Sequence, residues 1–453
     1  MQVLQLKADA RSVAAQWWRH SLAFAAMALG LLYNIQPIFF WIHAHTSLSR
    51  PFFSLVALIS ITLLPVCLTK FSLRRTLQSI ALPDYAMLFI FCYAIVRLFL
   101  QDAMASQNLM LMGSGAAVYV LARFIGYWNF RIFLAAFLVC TVFSMMITIP
   151  EILSHLRSSQ YMERIVLYGE IIANRWPSVA IGGMIAASLA LIQTETKGYK
   201  TYLLAILVGV VCWLPLFSGT RSVVVSIIIT MVVTFALCPR CYKRKATIFL
   251  MVFTVAATGF TLLPEKRLAL YKQPATTMQS IPIPTDKAGH YTNQQAAVPE
   301  SFTVVSSGEE PDKNTCIVKG NSILLRKIMI MDGIRAFSTH PVFGIGVDRY
   351  QSFTCVRTTE QIIPADDPHV STLHVAAELG IVGLIPFVFI ICWIVSHIAA
   401  MEQRSRLLLP CFALWLFQLV YDQFNTSYIS ATNYYLVTGA IVGLLTHMRH
   451  ARR

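Results

Sequence analysis

Long apolar runs separated by short polar connections fill most of this chain. Twelve such runs can be drawn, at about 20–42, 51–69, 82–100, 109–126, 130–149, 176–194, 200–217, 221–237, 246–264, 373–398, 405–422 and 428–446. Each has the length of a helix that crosses a hydrocarbon core of about 30 Å. The runs are continuous and do not alternate with period two, which excludes a membrane β-barrel. The fold class expected is an all-α polytopic membrane protein of about twelve transmembrane helices. Nineteen polar-to-mixed residues precede the first span with no small-residue cleavage site, so no cleaved leader is expected.

The pattern breaks once, in a polar segment between the ninth and tenth spans. This gives three expected parts: nine helices over 1–263, a large loop over 264–372 and three helices over 373–453. Residues 272–320 are rich in Pro, Gln, Thr, Ser and Gly and read as a loosely folded excursion. From Ser322 the character changes. Leu324, Ile328, Met331 and Ile334 recur at helical spacing, which predicts a helix of about sixteen residues with Ser322 as its N-cap. Pro341 stops that helix, and Gly344-Ile345-Gly346 supplies a tight turn. On these residues alone, a helix lying at the membrane interface is the better account of the pattern.

Composition agrees with the membrane assignment. The chain is 57% hydrophobic and 13% charged, with a mean hydropathy of +0.63; a soluble domain carries about twice that charged fraction. The formal charge of +15 has a topological meaning. Alternate connections collect the bases: Lys7, Arg11 and Arg19; Lys70, Arg74 and Arg75; Arg123 and Arg131; Lys197 and Lys200; Arg240, Lys243, Arg244 and Lys245; Arg404 and Arg406; Arg449, Arg452 and Arg453. By the positive-inside rule these face the cytoplasm, with both termini, and the large loop faces outward. A nucleic-acid partner is not needed to explain the charge.

Six of the ten cysteines (Cys67, Cys92, Cys140, Cys212, Cys392 and Cys411) lie in spans, as small apolar residues. Cys238 and Cys241 form a single CxxC with neither a second pair nor histidines, too little to specify zinc. Cys316 and Cys355 both lie in the large loop, where an oxidising compartment would permit a disulfide between them.

Arg326, followed by the turn Pro341-Val-Phe-Gly344-Ile-Gly346, then Asp367-Pro368-His369 and Ala377-Glu378-Leu379-Gly380-Ile-Val-Gly383, resembles the outer loop of the O-antigen ligase and polymerase superfamily. The spacing matches: Gly380 lies eleven residues after His369, and Gly383 three beyond it. Phe217-Ser218-Gly219-Thr220-Arg221 resembles the same family's Ser-Arg element between consecutive spans. Val370 departs from the small polar residue usual after the histidine, and Ile330 from a tryptophan often found there.

The resemblance implies a fold similar to the C-type membrane glycosyltransferases, with the loop in the periplasm of a bacterium and the spans in its inner membrane. It implies a donor glycan on undecaprenyl diphosphate and, in the ligase branch, a lipid A–core acceptor. No cofactor, metal or nucleotide sugar is called for. His369 is then the base that takes the proton of an acceptor hydroxyl, and Arg221 and Arg326 hold the departing diphosphate, a task suited to a planar guanidinium. Direct displacement inverts the anomeric centre. Arg335, Arg349, Arg97 and His374 are expected substrate-binding residues. Two other arrangements stay open: a metal held by Asp366, Asp367, His369 and His374, and a mutual pair of Arg97 with Asp422. Polymerase and protein O-oligosaccharyltransferase are sister readings, and a lipid-linked glycan flippase belongs to a different class.

Overall fold

In a computed structural model the described residues are 22–31, 80–100, 106–157, 221–237, 280–282, 315–318, 322–350, 355–357, 362–364, 370–400, 408–425 and 432–451. The helices are α1 (Leu22–Leu31), α2 (Leu82–Leu100), α3 (Ser106–Arg157), α4 (Arg221–Leu237), α5 (Ser322–Thr339), α6 (Ser371–Ala399), α7 (Leu408–Asn425) and α8 (Thr432–His450). Helix α2 and the stretches Met112–Thr148 and Ser371–Ala399 are long and apolar enough to cross a membrane. The expected spans at 51–69, 176–194, 200–217 and 246–264 lie outside the described residues.

Helix α3 is two helices joined at Asn129, whose backbone is non-helical (φ −156°, ψ 74°). The Asn129 side chain accepts the amide of Ile132 at 3.2 Å, capping the second half. The break falls between the expected spans 109–126 and 130–149.

The main core joins α1, α2, α3, α6, α7 and α8. Helix α8 lies along α3 at a distance only small residues permit. A Cβ on Gly126 would come within 2.9 Å of the Ala440 carbonyl carbon, and one on Gly443 within 2.6 Å of the Tyr127 amide nitrogen. Gly439 and Gly443 are four apart on α8 and turn one glycine face to α3, the small-residue packing by which membrane helices approach backbone to backbone.

Helix α2 carries a charge at each end. In its first turn Asp84 meets Arg123 of α3 (Nε–Oδ1 2.9 Å, NH2–Oδ2 3.1 Å), accepts the Tyr119 hydroxyl at 2.8 Å and accepts the Ala81 amide at 2.7 Å. Arg123 also donates to Thr446 Oγ1 of α8 at 3.2 Å. Both side chains of the pair are largely buried, 9% and 15% exposed. Arg97 lies thirteen residues on, about 20 Å along the axis. The two charges therefore mark opposite ends of the bundle.

The described residues are overwhelmingly helical, as expected, and the polar segment adds a small sheet. Four short strands, β1 (Ser280–Pro282), β2 (Thr315–Val318), β3 (Cys355–Arg357) and β4 (Ile362–Pro364), form one sheet in the order β1-β2-β3-β4. β1 and β2 are antiparallel, β2 and β3 parallel, and β3 and β4 antiparallel. Strands of three or four residues are too short to print a period-two pattern, so 280–282 and 315–318 are hidden within a stretch that reads as loose. Pro282 and Pro364 sit on the edge strands, where a missing N–H costs little. The parallel pair β2–β3 is joined through α5, the helical crossover that parallel strands require.

Candidate functional site: a glycine turn docked on a broken helix

Helix α5 ends at Thr339, and the chain turns through Pro341 to Tyr350 before reaching the sheet. Gly344 and Gly346 have φ of +70° and +109°. Helix α6 is broken inside its first third at Gly380 (φ 64°, ψ −162°), a conformation almost restricted to glycine. The turn and the break fit one another. Ile345 and Gly346 amides donate to the carbonyls of Ala377 (2.9 Å) and Glu378 (3.0 Å), while Ile381 and Val382 amides donate to Pro341 (2.8 Å) and Val342 (3.3 Å).

A Cβ on Gly380 would lie 2.5 Å from the Gly344 amide nitrogen, and one on Gly344 2.6 Å from that of Gly380. The two glycine motifs of the sequence are thus the two halves of one backbone joint. The break frees helical amides and carbonyls, and the turn satisfies them, as buried backbone groups require.

Side chains secure the joint. Glu378, fully buried, accepts the Tyr350 amide at 3.3 Å and stands 3.1 Å from Nε2 of His374, which is 1% exposed. The Tyr350 ring lies against the His374 ring, and its hydroxyl donates to the Met329 carbonyl of α5. Ala336, Ile345, Tyr350 and Ala377 form a small core of their own. From the membrane side, α2 holds the turn by its carbonyls: Arg97 donates to Gly344 O at 3.0 Å and the Tyr93 hydroxyl to Phe343 O at 3.1 Å.

The start of α6 is fixed independently. Its N-cap position is Val370, which has no side-chain acceptor. Gln423 of α7 supplies one, accepting from the Thr372 amide at 3.2 Å and hydroxyl at 2.7 Å, while Ser371 donates to the Asp422 carbonyl at 2.8 Å. Helix α4, which begins at Arg221, packs along this same α7.

Against this frame the expected site residues fall as follows. Arg326 is half-buried on α5, one turn before the Met329 carbonyl held by Tyr350. Arg335 is 46% exposed with its guanidinium 3.5 Å from buried Asp332 on the same helix. Arg349 is exposed at the end of the turn. Arg97 grips the Gly344 carbonyl, and Asp422 accepts from Gln418 at 2.8 Å. His374 is buried beside Glu378. Arg221 is the first residue of α4, with its side chain outside the described residues. His369 and its neighbours Asp366 and Asp367 also lie outside them, immediately before Val370.

Glu378 reads from sequence as a cap near a helix start, but its structural place is the interior, joining α6 to the turn. Its spacing of four from His374 was the available signal. Tyr350 and Tyr93 carried no sequence signal, because their roles are set by backbone carbonyls distant in the chain.

The molecule so described is an α-helical membrane protein in which a polar segment folds onto the start of a broken apolar helix. A family model described as O-antigen ligase matches residues 203–388, which takes in α4, the whole polar segment and the first two-thirds of α6. The match supports placing this stretch in the O-antigen ligase and polymerase superfamily. No curated protein matches the chain as a relative.

Proposed function

We infer that this protein is an O-antigen ligase. It transfers a polysaccharide from undecaprenyl diphosphate to a sugar hydroxyl of lipid A–core at the periplasmic face. The observation that carries this reading is the joint between the turn and Gly380, inside the family-matched stretch. The joint ties the helix that carries Arg326 to the helix that follows His369 in the chain, which supports a reading in which both serve one site.

In this reading His369 takes the proton of the acceptor hydroxyl as that oxygen attacks the anomeric carbon. The glycosidic bond to the diphosphate breaks on the opposite face, and Arg221 and Arg326 hold the negative charge that develops on the leaving oxygen. Such a positioned base contributes about 10²–10⁴-fold, and loss of one charge-stabilising donor costs about 10²–10³-fold. The displacement inverts the anomeric centre and uses no metal. Arg335 and Arg349 extend the positive surface of α5 and the turn toward the donor.

The test is a gel of surface polysaccharide from a host lacking the gene, complemented with wild type, His369→Ala or Arg326→Lys. Wild type restores polymer on lipid A–core, and the variants leave polymer on its carrier. Core bearing a single repeat instead identifies a polymerase, and glycosylated protein a protein O-oligosaccharyltransferase. A wild-type ladder from His369→Ala overturns the assignment of the base. Reconstituted protein that moves a fluorescent donor across the bilayer without turnover identifies a flippase.

A further inference from the structure

The short sheet brings two cysteines into register. In the parallel pair β2–β3, Ile317 is paired with Val356 and Val318 with Arg357. One step back along both strands, Cys316 of β2 stands beside Cys355 of β3. Neighbouring strands lie about 4.8 Å apart, and a disulfide joins residues whose Cα atoms are about 4.4–6.8 Å apart. Register positions of this kind therefore meet the distance requirement without backbone movement.

We propose that Cys316 and Cys355 form a disulfide that staples the two ends of the segment carrying Arg326 and the glycine turn. Everything between them, α5 with Arg326 and Arg335 and the turn through Tyr350, becomes a closed ring whose ends meet in the sheet. The sheet needs such a fastening, since strands of three and four residues are marginal by themselves. Its other fixed point is the joint on α6, made by Ile345 and Gly346 within the ring. The bond forms by thiol–disulfide exchange with an oxidised dithiol protein of the compartment. The two thiols give up two electrons and two protons, and the donor's disulfide becomes a dithiol. The proposal rests on the reading that the loop faces an oxidising compartment.

The test uses the full-length protein in intact cells. Free thiols are blocked with a membrane-impermeant maleimide, then the protein is purified without reductant and its peptides are analysed by mass spectrometry. The expected result is a peptide containing Cys316 linked to one containing Cys355, converted to two alkylatable peptides by reductant. Cys316→Ser removes the linked species and leaves Cys355 open to the maleimide.

If both cysteines are blocked by the impermeant reagent in wild-type cells, the loop is outside and the disulfide is overturned alone. If both are reactive only after the membrane is broken, the disulfide and the outward placement of the loop fall together. A linked species between Cys316 and any other cysteine also overturns the pairing.

Discussion

Gly380→Ala is the substitution that tests the backbone joint most directly. At φ 64° and ψ −162° an alanine is strained by about 1–3 kcal/mol. Its methyl group would lie 2.5 Å from the Gly344 nitrogen and from the Val342 carbonyl carbon, where ordinary contacts begin at 3.4 Å. Both neighbours are backbone and cannot swing aside. Forcing atoms into a packed site costs a further ~1–3 kcal/mol, and relief by separation would give up some of the four hydrogen bonds between turn and helix. The sum is on the order of 2–6 kcal/mol, directed at the site and not at the distant glycine seam of α3 and α8.

The measurement is thermal unfolding of detergent-solubilised protein, followed by a thiol-reactive dye or by retention on gel filtration. Gly113→Ala serves as the paired control. No atom lies within 4 Å of a Cβ at Gly113, so alanine there is neutral or stabilises the helix by up to about 1 kcal/mol. Gly380→Ala should lower the midpoint by roughly 5–10 °C and abolish glycan transfer. If it melts within about 1 °C of wild type and still complements the host, the joint is not what holds the turn.

Other expectations follow from contacts at the two ends of α2. Arg97→Met removes a charged donor from the Gly344 carbonyl and should destabilise by about 1.5–3 kcal/mol; unchanged melting with lost transfer would mean that Arg97 acts on substrate instead of the turn. Arg123→Met leaves the Asp84 carboxylate buried without its guanidinium and should cost about 3–5 kcal/mol. Adding Asp84→Leu should recover most of that loss in a double-mutant cycle. Two single losses that simply add would show that the pair does not act as a unit.

The apolar elements were legible because length and hydropathy suffice to define them. The expected spans 82–100 and 221–237 coincide with α2 and α4, and 373–398 differs from α6 by two residues at its start and one at its end. Helix α5, expected to follow Ser322 as N-cap for about sixteen residues, includes Ser322 and runs 18 residues to Thr339, two before Pro341. The glycine motifs were visible as motifs, yet their mutual docking was not. That docking depends on Gly344 and Gly380, 36 positions apart, approaching backbone to backbone, and a single sequence carries no signal of a contact between main-chain atoms. Arg97 stands out in the sequence as an ionised group inside an apolar run, but its partner is a carbonyl oxygen, which any residue presents. The short strands escaped for a related reason, since pairing over three residues is decided by what lies alongside.

The seam between α3 and α8 bears on the order in which the chain assembles. Asp84 and Arg123 are 39 residues apart and can pair as soon as their two helices are in the membrane. Thr446, which accepts from NH2 of the same guanidinium, is made 323 residues after Arg123. Until α8 arrives, the α3 groove at Tyr119, Arg123 and Gly126 has no glycine face to fill it, and lipid chains cannot offer Arg123 a hydroxyl. The described bundle is therefore closed by α8, after the polar segment and its joint have already been translated. A chain interrupted anywhere before residue 432 would carry an open, partly charged groove in the bilayer.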